Sequence, residues 1–556
     1  MLKLIFIISL FPVLSFGQSN STTKDLVNSE ISLTENRILK RNVIQNYFNG
    51  KSNLPPVVEN NLNYSNLPNI NSQIRWSYTD PVSIGYFCDM SRNGKYGITG
   101  WELNNERASL YDSNSSTPLW EYFTGPIVTS QFVAISDTGG IIGVSSERKI
   151  QIFNNTSNIP FYNFDLTTLP YIGYATFLDI TNDGKFLVCS ASYEDSSTVF
   201  GIDVISGNIV WSKRIRPEYP TNGAWIQGIK MSGNDSLVIV NNSTEFFVIK
   251  TFTGEVIFQG YINPSAPTNH TQSVQGISGD GRVVATISNF GLLRVYQWNG
   301  TTYDFIWQDQ ELTGFYGWYS SIDITYDGNY IAAGVLLFNS LEKYYGKIKL
   351  FETNQNGMPY WIYDGCGDFI SGLSFSKSGN ILSAVSWGAI DNSKEDLYVF
   401  KTFLGNTPIF KINTPGSLFT CKTSDDGQSV LASGKAVHAR IFGLGGLLYN
   451  IRVDTSDIIT SVNNESLVPN NYSLYQNYPN PFNPVTKIVY ELPYSEFVLL
   501  KVFDILGKEI ATLVNQKQDQ GKYSVDFNAG NLPSGTYFYK IATEKYSQVR
   551  KMVLTK

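Results

Sequence analysis

Histidine is almost missing from this chain: His270 and His438 are the only two in 556 residues. Neither has a second histidine or a suitably spaced carboxylate beside it. Zinc coordination and imidazole acid–base chemistry therefore have little to draw on. Cysteine is nearly as scarce, and Cys88, Cys189, Cys366 and Cys421 stand singly. They lack the CxxC pairing of a zinc or redox site and the density of a disulfide-stapled scaffold. Charged residues make up only 16% of the chain, with a formal net charge of −6. No basic patch is available for a phosphate backbone or an anionic lipid surface, so nucleic acid is set aside as a partner. Apart from the first residues, no stretch approaches the 18 or so apolar residues of a transmembrane helix, and no membrane span is expected in the mature protein.

Aromatic residues, in contrast, reach 14%, and there are 46 glycines. With abundant Val, Ile, Thr and Tyr, this composition favours strands and tight turns, and the expected class is all-β. The N-terminus reads MLKLIFIISLFPVLSFGQ, with Lys3, an apolar core from Leu4 to Leu14, and the small-residue pattern Ser15-Phe16-Gly17. Residues 1–18 are read as a signal peptide and residues 19–73, rich in Asn and Ser, as a linker.

From Ile74 a repeat takes over. A short turn recurs as SRNGK at Ser91, SDTGG at Ser136, TNDGK at Thr181, SGNDS at Ser232, SGDGR at Ser278, TYDGN at Thr325, SKSGN at Ser376 and SDDGQ at Ser424. Successive copies lie 45 to 51 residues apart. Each is preceded by an alternating strand, in which Asp89, Asp179 and Asp323 hold equivalent places. Each is followed by a strand of small and β-branched residues, then by a third strand, of which ARIFG at 439–443 is the last copy. An aromatic marks the fourth: Trp120, Phe164, Trp211, Phe258, Trp307, Trp361, Phe410 and Tyr449. Four strands per unit with no intervening helix describe β-propeller blades, and residues 74–453 are expected to form eight of them, with seven as the alternative. IRWSY at 74–78 reads as one more fourth strand, able to close the ring from the N-terminal side, but LLYNIRV after Leu447 competes for that place. The turn-and-strand pattern, clearest in Ser206-Gly207-Asn208-Ile209-Val210-Trp211, resembles the WD-repeat and quinoprotein-like propellers. That likeness is structural and implies no chemistry.

After a polar linker at 454–470, residues 471–556 change character. Alternating strands between Pro, Gly and Asn turns point to a small immunoglobulin-like β-sandwich. Tyr478-Pro479-Asn480-Pro481-Phe482-Asn483-Pro484, Val502 to Gly507, Leu532 to Tyr537 with Gly535, and Lys551-Met552-Val553-Leu554 closely resemble the C-terminal sorting domain of the type IX secretion system. The resemblance implies export to the periplasm, recognition by the outer-membrane machinery, and release or surface attachment. The other reading of this stretch is a generic sandwich that packs on the propeller or binds carbohydrate.

Candidate chemistry in the repeats is thin. Quinone dehydrogenases hold their cofactor beside adjacent cysteines, which this chain lacks, and no cofactor is expected. The turns differ from the sialidase Asp-box in spacing. The three Asp residues are expected to accept hydrogen bonds from turn or neighbouring-strand amides rather than hold a cation. Cys88 and Cys421 occupy equivalent places in the first and last units, so a disulfide across the closure is weighed against two buried thiols. His438 falls in a strand pattern, and Gly443-Leu444-Gly445-Gly446 has no helix after it and reads as a hairpin turn, not a phosphate loop. The expected function is a secreted, non-catalytic module that binds an extracellular protein or carbohydrate. The alternative is a hydrolase or lyase whose site is assembled at a channel mouth from several blades.

Overall fold

The computed structural model describes residues 72–555 except 125–131, 147, 167–173, 194–195, 217–225, 267–272, 312–315, 339–343, 456–471, 476, 478–479 and 481. Residues 1–18, read as a signal peptide, nearly all of residues 19–73, read as a linker, and His270 lie outside the described residues. The chain divides into two compact units, Met1–Thr455 and Ser456–Lys556. Among the described residues every named element is a β-strand.

In the first unit, sheet one is Ile84–Met90, Tyr96–Glu102, Arg107–Asp112 and Pro118–Phe123, each strand antiparallel to the one before. The same four-stranded meander recurs over 132–165, 174–215, 228–261, 273–310, 316–366 and 370–412 as sheets two to seven. Second strands such as Val283–Ser288 and Ile381–Ser386 are buried at every position. They are covered on both faces by neighbouring sheets, which is why small and β-branched residues run through them without polar alternation. The first strand of each sheet packs against the first strand of the next, and Ile84–Met90 packs against Ser417–Thr423 and Ser429–Lys435. The sheets therefore close into a ring, and the unit is a β-propeller.

Sheet eight draws on both ends of the repeat region. Ser417–Thr423, Ser429–Lys435 and Gly446–Arg452 pair in turn, and Gln73–Asp80 adds the fourth strand. The two segments that competed for the last sheet are both used. Two expectations are corrected here: ARIFG is not the third strand, and Tyr449 lies in the third strand, not the fourth, whose aromatic is Trp76. Gly446–Arg452 buries Leu447, Leu448 and Ile451, which gives it the stronger claim to an interior position.

The fourth-strand tryptophans prove to be clamps between sheets. Trp76 Nε1 donates to the Ser113 carbonyl at 2.9 Å, Trp120 to Asn155 at 3.2 Å, Trp211 to Thr251 at 2.9 Å, Trp307 to Thr353 at 2.6 Å and Trp361 to Thr402 at 2.8 Å. Each acceptor lies in the next sheet around the ring, so these buried or half-buried indole N–H groups find their protein partner only when the neighbours are in place. At the seam an ion triad, buried at Arg107 and Asp80, adds to this. Arg107 of sheet one reaches Asp80, the last residue of the donated strand, and Glu121, each at 2.7 Å. Lys349 plays the same part between sheets five and six, with Asp309 at 2.8 Å and Glu311 at 2.5 Å.

The repeated turn owes its form to two side chains. Ser91 Oγ accepts the Tyr96 N–H at 2.9 Å, and Asn93 Oδ1 accepts the Ser91 hydroxyl at 2.8 Å and the Lys95 N–H at 3.0 Å. Gly94 then adopts φ of 69°, in the left-handed region that suits glycine. In sheet four Asp235 takes that place at φ of 60°, and its carboxylate accepts the Asn182 N–H of sheet three.

The second unit holds a three-stranded sheet, Ser473–Leu474, Val485–Leu492 and Gly521–Asn528, and a four-stranded sheet, Glu509–Gln518, Glu496–Phe503, Gly535–Ala542 and Ser547–Leu554. Val485–Leu492 buries alternate residues, as expected of a strand with one face inward. Both sheets contribute to one core that includes Phe482, Ile488, Tyr490, Leu500, Tyr539 and Met552.

Candidate functional site

Along the propeller axis, the residue two before each turn Ser or Thr comes from an innermost strand. In ring order these are Asp89, Ala134, Asp179, Lys230, Gly276, Asp323, Ser374 and Lys422. The three aspartates join neighbouring sheets. Asp89 accepts Ile135 N–H at 3.0 Å, Asp179 accepts Met231 N–H at 2.8 Å, and Asp323 accepts Phe375 N–H at 2.8 Å, each donor lying in the next sheet. Asp89 and Asp179 also accept the amide of the residue that follows them, both at 2.9 Å. Lys422 stands 3.5 Å from Asp89, and Lys230 bonds to Asp323 across the place where sheet five has only Gly276. Asp89 holds the Lys422 ammonium well above its ordinary pKa, with Asp179 and Asp323 adding to the effect. Burial raises the carboxyl of Asp179. Two of the three axial carboxylates are thus paired with lysines, and all three accept backbone amides from the next sheet. Among the described residues, no three His, Cys, Asp or Glu side chains are placed to hold a metal ion.

The two lysines share the register of the aspartates but not their residue type, so they do not stand out in the repeat pattern. Register alone could have found them. Their partners could not have been read, because Lys230 and Asp323 are 93 residues apart.

The end of the ring where the innermost strands begin is aromatic around the seam. Tyr86 stacks on Phe419 at 5.2 Å between ring centroids, Phe419 lies 6.4 Å from Trp387, and Trp387 lies 4.8 Å from Phe369. Residues 436–445, the loop of sheet eight at this end, lie over sheets six and seven. Arg440 forms two bonds to the buried carboxylate of Asp368, at 2.7 and 2.9 Å, and its guanidinium stacks 3.5 Å from the Tyr344 ring. This capture explains why His438 is not in a strand: the loop is drawn onto its neighbours instead of pairing in its own sheet. His438 is buried, Nδ1 accepts Arg440 N–H at 3.2 Å, and burial lowers its pKa. Gly443 to Gly446 complete a hairpin closed by the Ala436 N–H to the Gly445 carbonyl at 2.8 Å. The loop also leaves Phe442 82% and Ile441 45% exposed, at the same end as Ile390 at 50% and Tyr345 at 47%.

Cys88 and Cys421 come together across the seam, but the bridge weighed for them is not formed: both are buried free thiols. Cys88 Sγ faces the Thr420 and Leu431 carbonyls at 3.8 and 3.7 Å, and Cys421 receives the Ser383 hydroxyl at 3.5 Å. Burial pushes both thiols up to about 12, which suppresses the reactive thiolate.

In the second unit Tyr478, Pro479 and Pro481 lie outside the described residues. The rest of that motif clamps the final strand. Asn480 Oδ1 accepts Val553 N–H at 2.8 Å, Phe482 N–H donates to Val553 at 2.9 Å, and Thr555 N–H donates back to Phe482 at 2.9 Å. Phe482 is fully buried, Asn483 is exposed, and the Pro484 carbonyl accepts Ala529 N–H at 2.8 Å. Gly507 has φ of 79°, whereas a side chain at Gly535 would meet open space.

Residues 476–555 match the family of secretion system C-terminal sorting domains, so the second unit is a type IX sorting domain. It implies interaction with the type IX secretion machinery, export, and a secreted or cell-surface location. Among solved structures, the chain is similar to the β-propeller domain of Cps50 (Swd1) from Myceliophteria thermophila, at 9% identity and a TM-score of 0.43, covering 69% of this chain and 100% of that one. No curated protein matches the chain.

Proposed function

We propose that this protein is an eight-bladed propeller, one blade per sheet, carried through the periplasm and out of the cell by its immunoglobulin-like tail, where it binds a macromolecule without transforming it. The observation that carries this reading is the seam end of the ring. Tyr345, Ile390, Ile441 and Phe442 expose large apolar side chains from three successive sheets beside an aromatic stack. Apolar surface gathered in this way suits contact with an extracellular protein or with the C–H faces of a carbohydrate. The axial carboxylates, tied to backbone amides, favour this over the hydrolase or lyase alternative, which needs carboxylates able to take up and release protons on a substrate.

Two assays on purified protein test the reading: affinity electrophoresis against soluble polysaccharides, and pull-down from a surface-protein fraction. The wild type is expected to be retained in one of them. The Ile441→Ser/Phe442→Ser variant should lose at least about tenfold in affinity, since each buried aliphatic or aromatic side chain carries a decade or more of binding. New reducing ends or new amino termini in the retained material would support the hydrolase instead.

A further inference from the structure

We propose that the Ile505–Leu506 turn is the contact by which the secretion machinery grips this protein. The inference rests on the sorting role of the tail and adds where the tail is held. Leu506 is 89% exposed and Ile505 72%, more than any other large apolar side chain described in this unit. They are adjacent, and the turn that carries them is fixed. Asp504 Oδ1 accepts the N–H groups of Leu506 and Lys508, both at 2.9 Å, and the Gly507 N–H closes on the Asp504 carbonyl at 3.0 Å. Gly507 supplies the left-handed backbone at φ of 79°. The legs of the hairpin are braced by Lys501 to Glu509 at 2.7 Å, and Thr512 bonds the same carboxylate at 2.7 Å. The backbone that carries two aliphatic side chains is therefore set before any partner arrives, which removes part of the ordering cost of binding.

In the other motif pieces the described large apolar and clamping residues serve the fold. Asn480 and Phe482 hold the last strand, Tyr537 is buried with its hydroxyl on the Pro533 carbonyl at 2.8 Å, and Met552 and Leu554 are core residues. Among the described residues of these pieces, only Ile505 and Leu506 are exposed large apolar side chains. The matching surface on the machinery is an apolar cleft that takes two aliphatic side chains, with an acidic rim opposite the exposed Lys508.

The test is made on the full chain in a type IX-competent host, following protein in the medium, on the surface and in the periplasm. Ile505→Ser/Leu506→Ser should lower export at least about tenfold, as expected for the loss of two apolar anchors. The tail of the purified variant should keep its thermal transition, and Ile505→Val/Leu506→Met, which keeps an apolar tip, should export normally. Leu506→Ser alone keeps the test open should the double variant misfold. Wild-type export of the serine variants, beside loss of export on deleting residues 471–556, overturns the turn as the contact and leaves the sorting role intact. Wild-type export of the deletion overturns the sorting role itself.

Discussion

Replacing Arg107 by Met is expected to destabilise the propeller by about 3–5 kcal/mol, the range for breaking a buried ion pair from one side. Arg107 is 2% exposed and Asp80 3%. Without the guanidinium, Asp80 keeps, among the described residues, the Val82 and Ser83 amides at 2.8 and 2.6 Å against the cost of burying its charge. Burial alone would push this carboxyl up, but the Ser83 and Val82 amides and Arg107 outweigh it and hold it below the ordinary value. A carboxyl with a depressed pKa contributes stability above its unfolded pKa and loses it as the pH falls through the folded one. The variant should therefore lose more stability at neutral pH than in acid, where Asp80 is protonated in either state. Asp80 ends the strand that closes the ring, so the seam should open first, and denaturant unfolding should show the lower midpoint. Adding Asp80→Asn to the variant should recover part of the loss. An unchanged midpoint would mean that the seam does not depend on this pair.

Phe482→Ala should cost the tail about 3–5 kcal/mol, the range for truncating a buried Phe. That is a large part of the stability of a domain of this size. The ring is 1% exposed, 6.2 Å from Phe527, and its backbone bonds Val553 and Thr555. Calorimetry of the full chain should show the tail transition lost while the propeller transition stays, because the two units have separate cores. In cells the variant should accumulate behind the outer membrane. Retention of both transitions would show that the motif is not a structural clamp.

These two sites mark the limits of what the sequence discloses. The turns were legible because their chemistry is local: Ser, Asn and Gly at fixed offsets write the hydrogen bonds of residues 91–96 into six letters. The fourth-strand aromatics were visible as a pattern, but their clamping role was not, because each indole reaches a carbonyl about one repeat further on. In the last sheet the closing strand at 74–78 was legible, but its neighbour was misassigned for the same reason. Pairing of Gln73–Asp80 with Gly446–Arg452 spans almost the whole repeat region, and no local preference ranks ARIFG against LLYNIR. Arg107 and Lys349 left no signal, since a single basic residue in a strand looks solvent-exposed until its partners are known. In the tail, Phe482 and Gly507 belong to separate pieces of one sorting signature, and only the structure tells the residue that holds the fold from the turn that faces outward.

The central claim is that the address lies in the tail and can be detached from the propeller. Residues 456–556 form a unit with its own core, so they can be fused behind an unrelated reporter that carries its own signal peptide. In a type IX-competent cell the account predicts that the reporter reaches the surface or the medium. A reporter that stays in the periplasm, with the tail folded and intact, would contradict it.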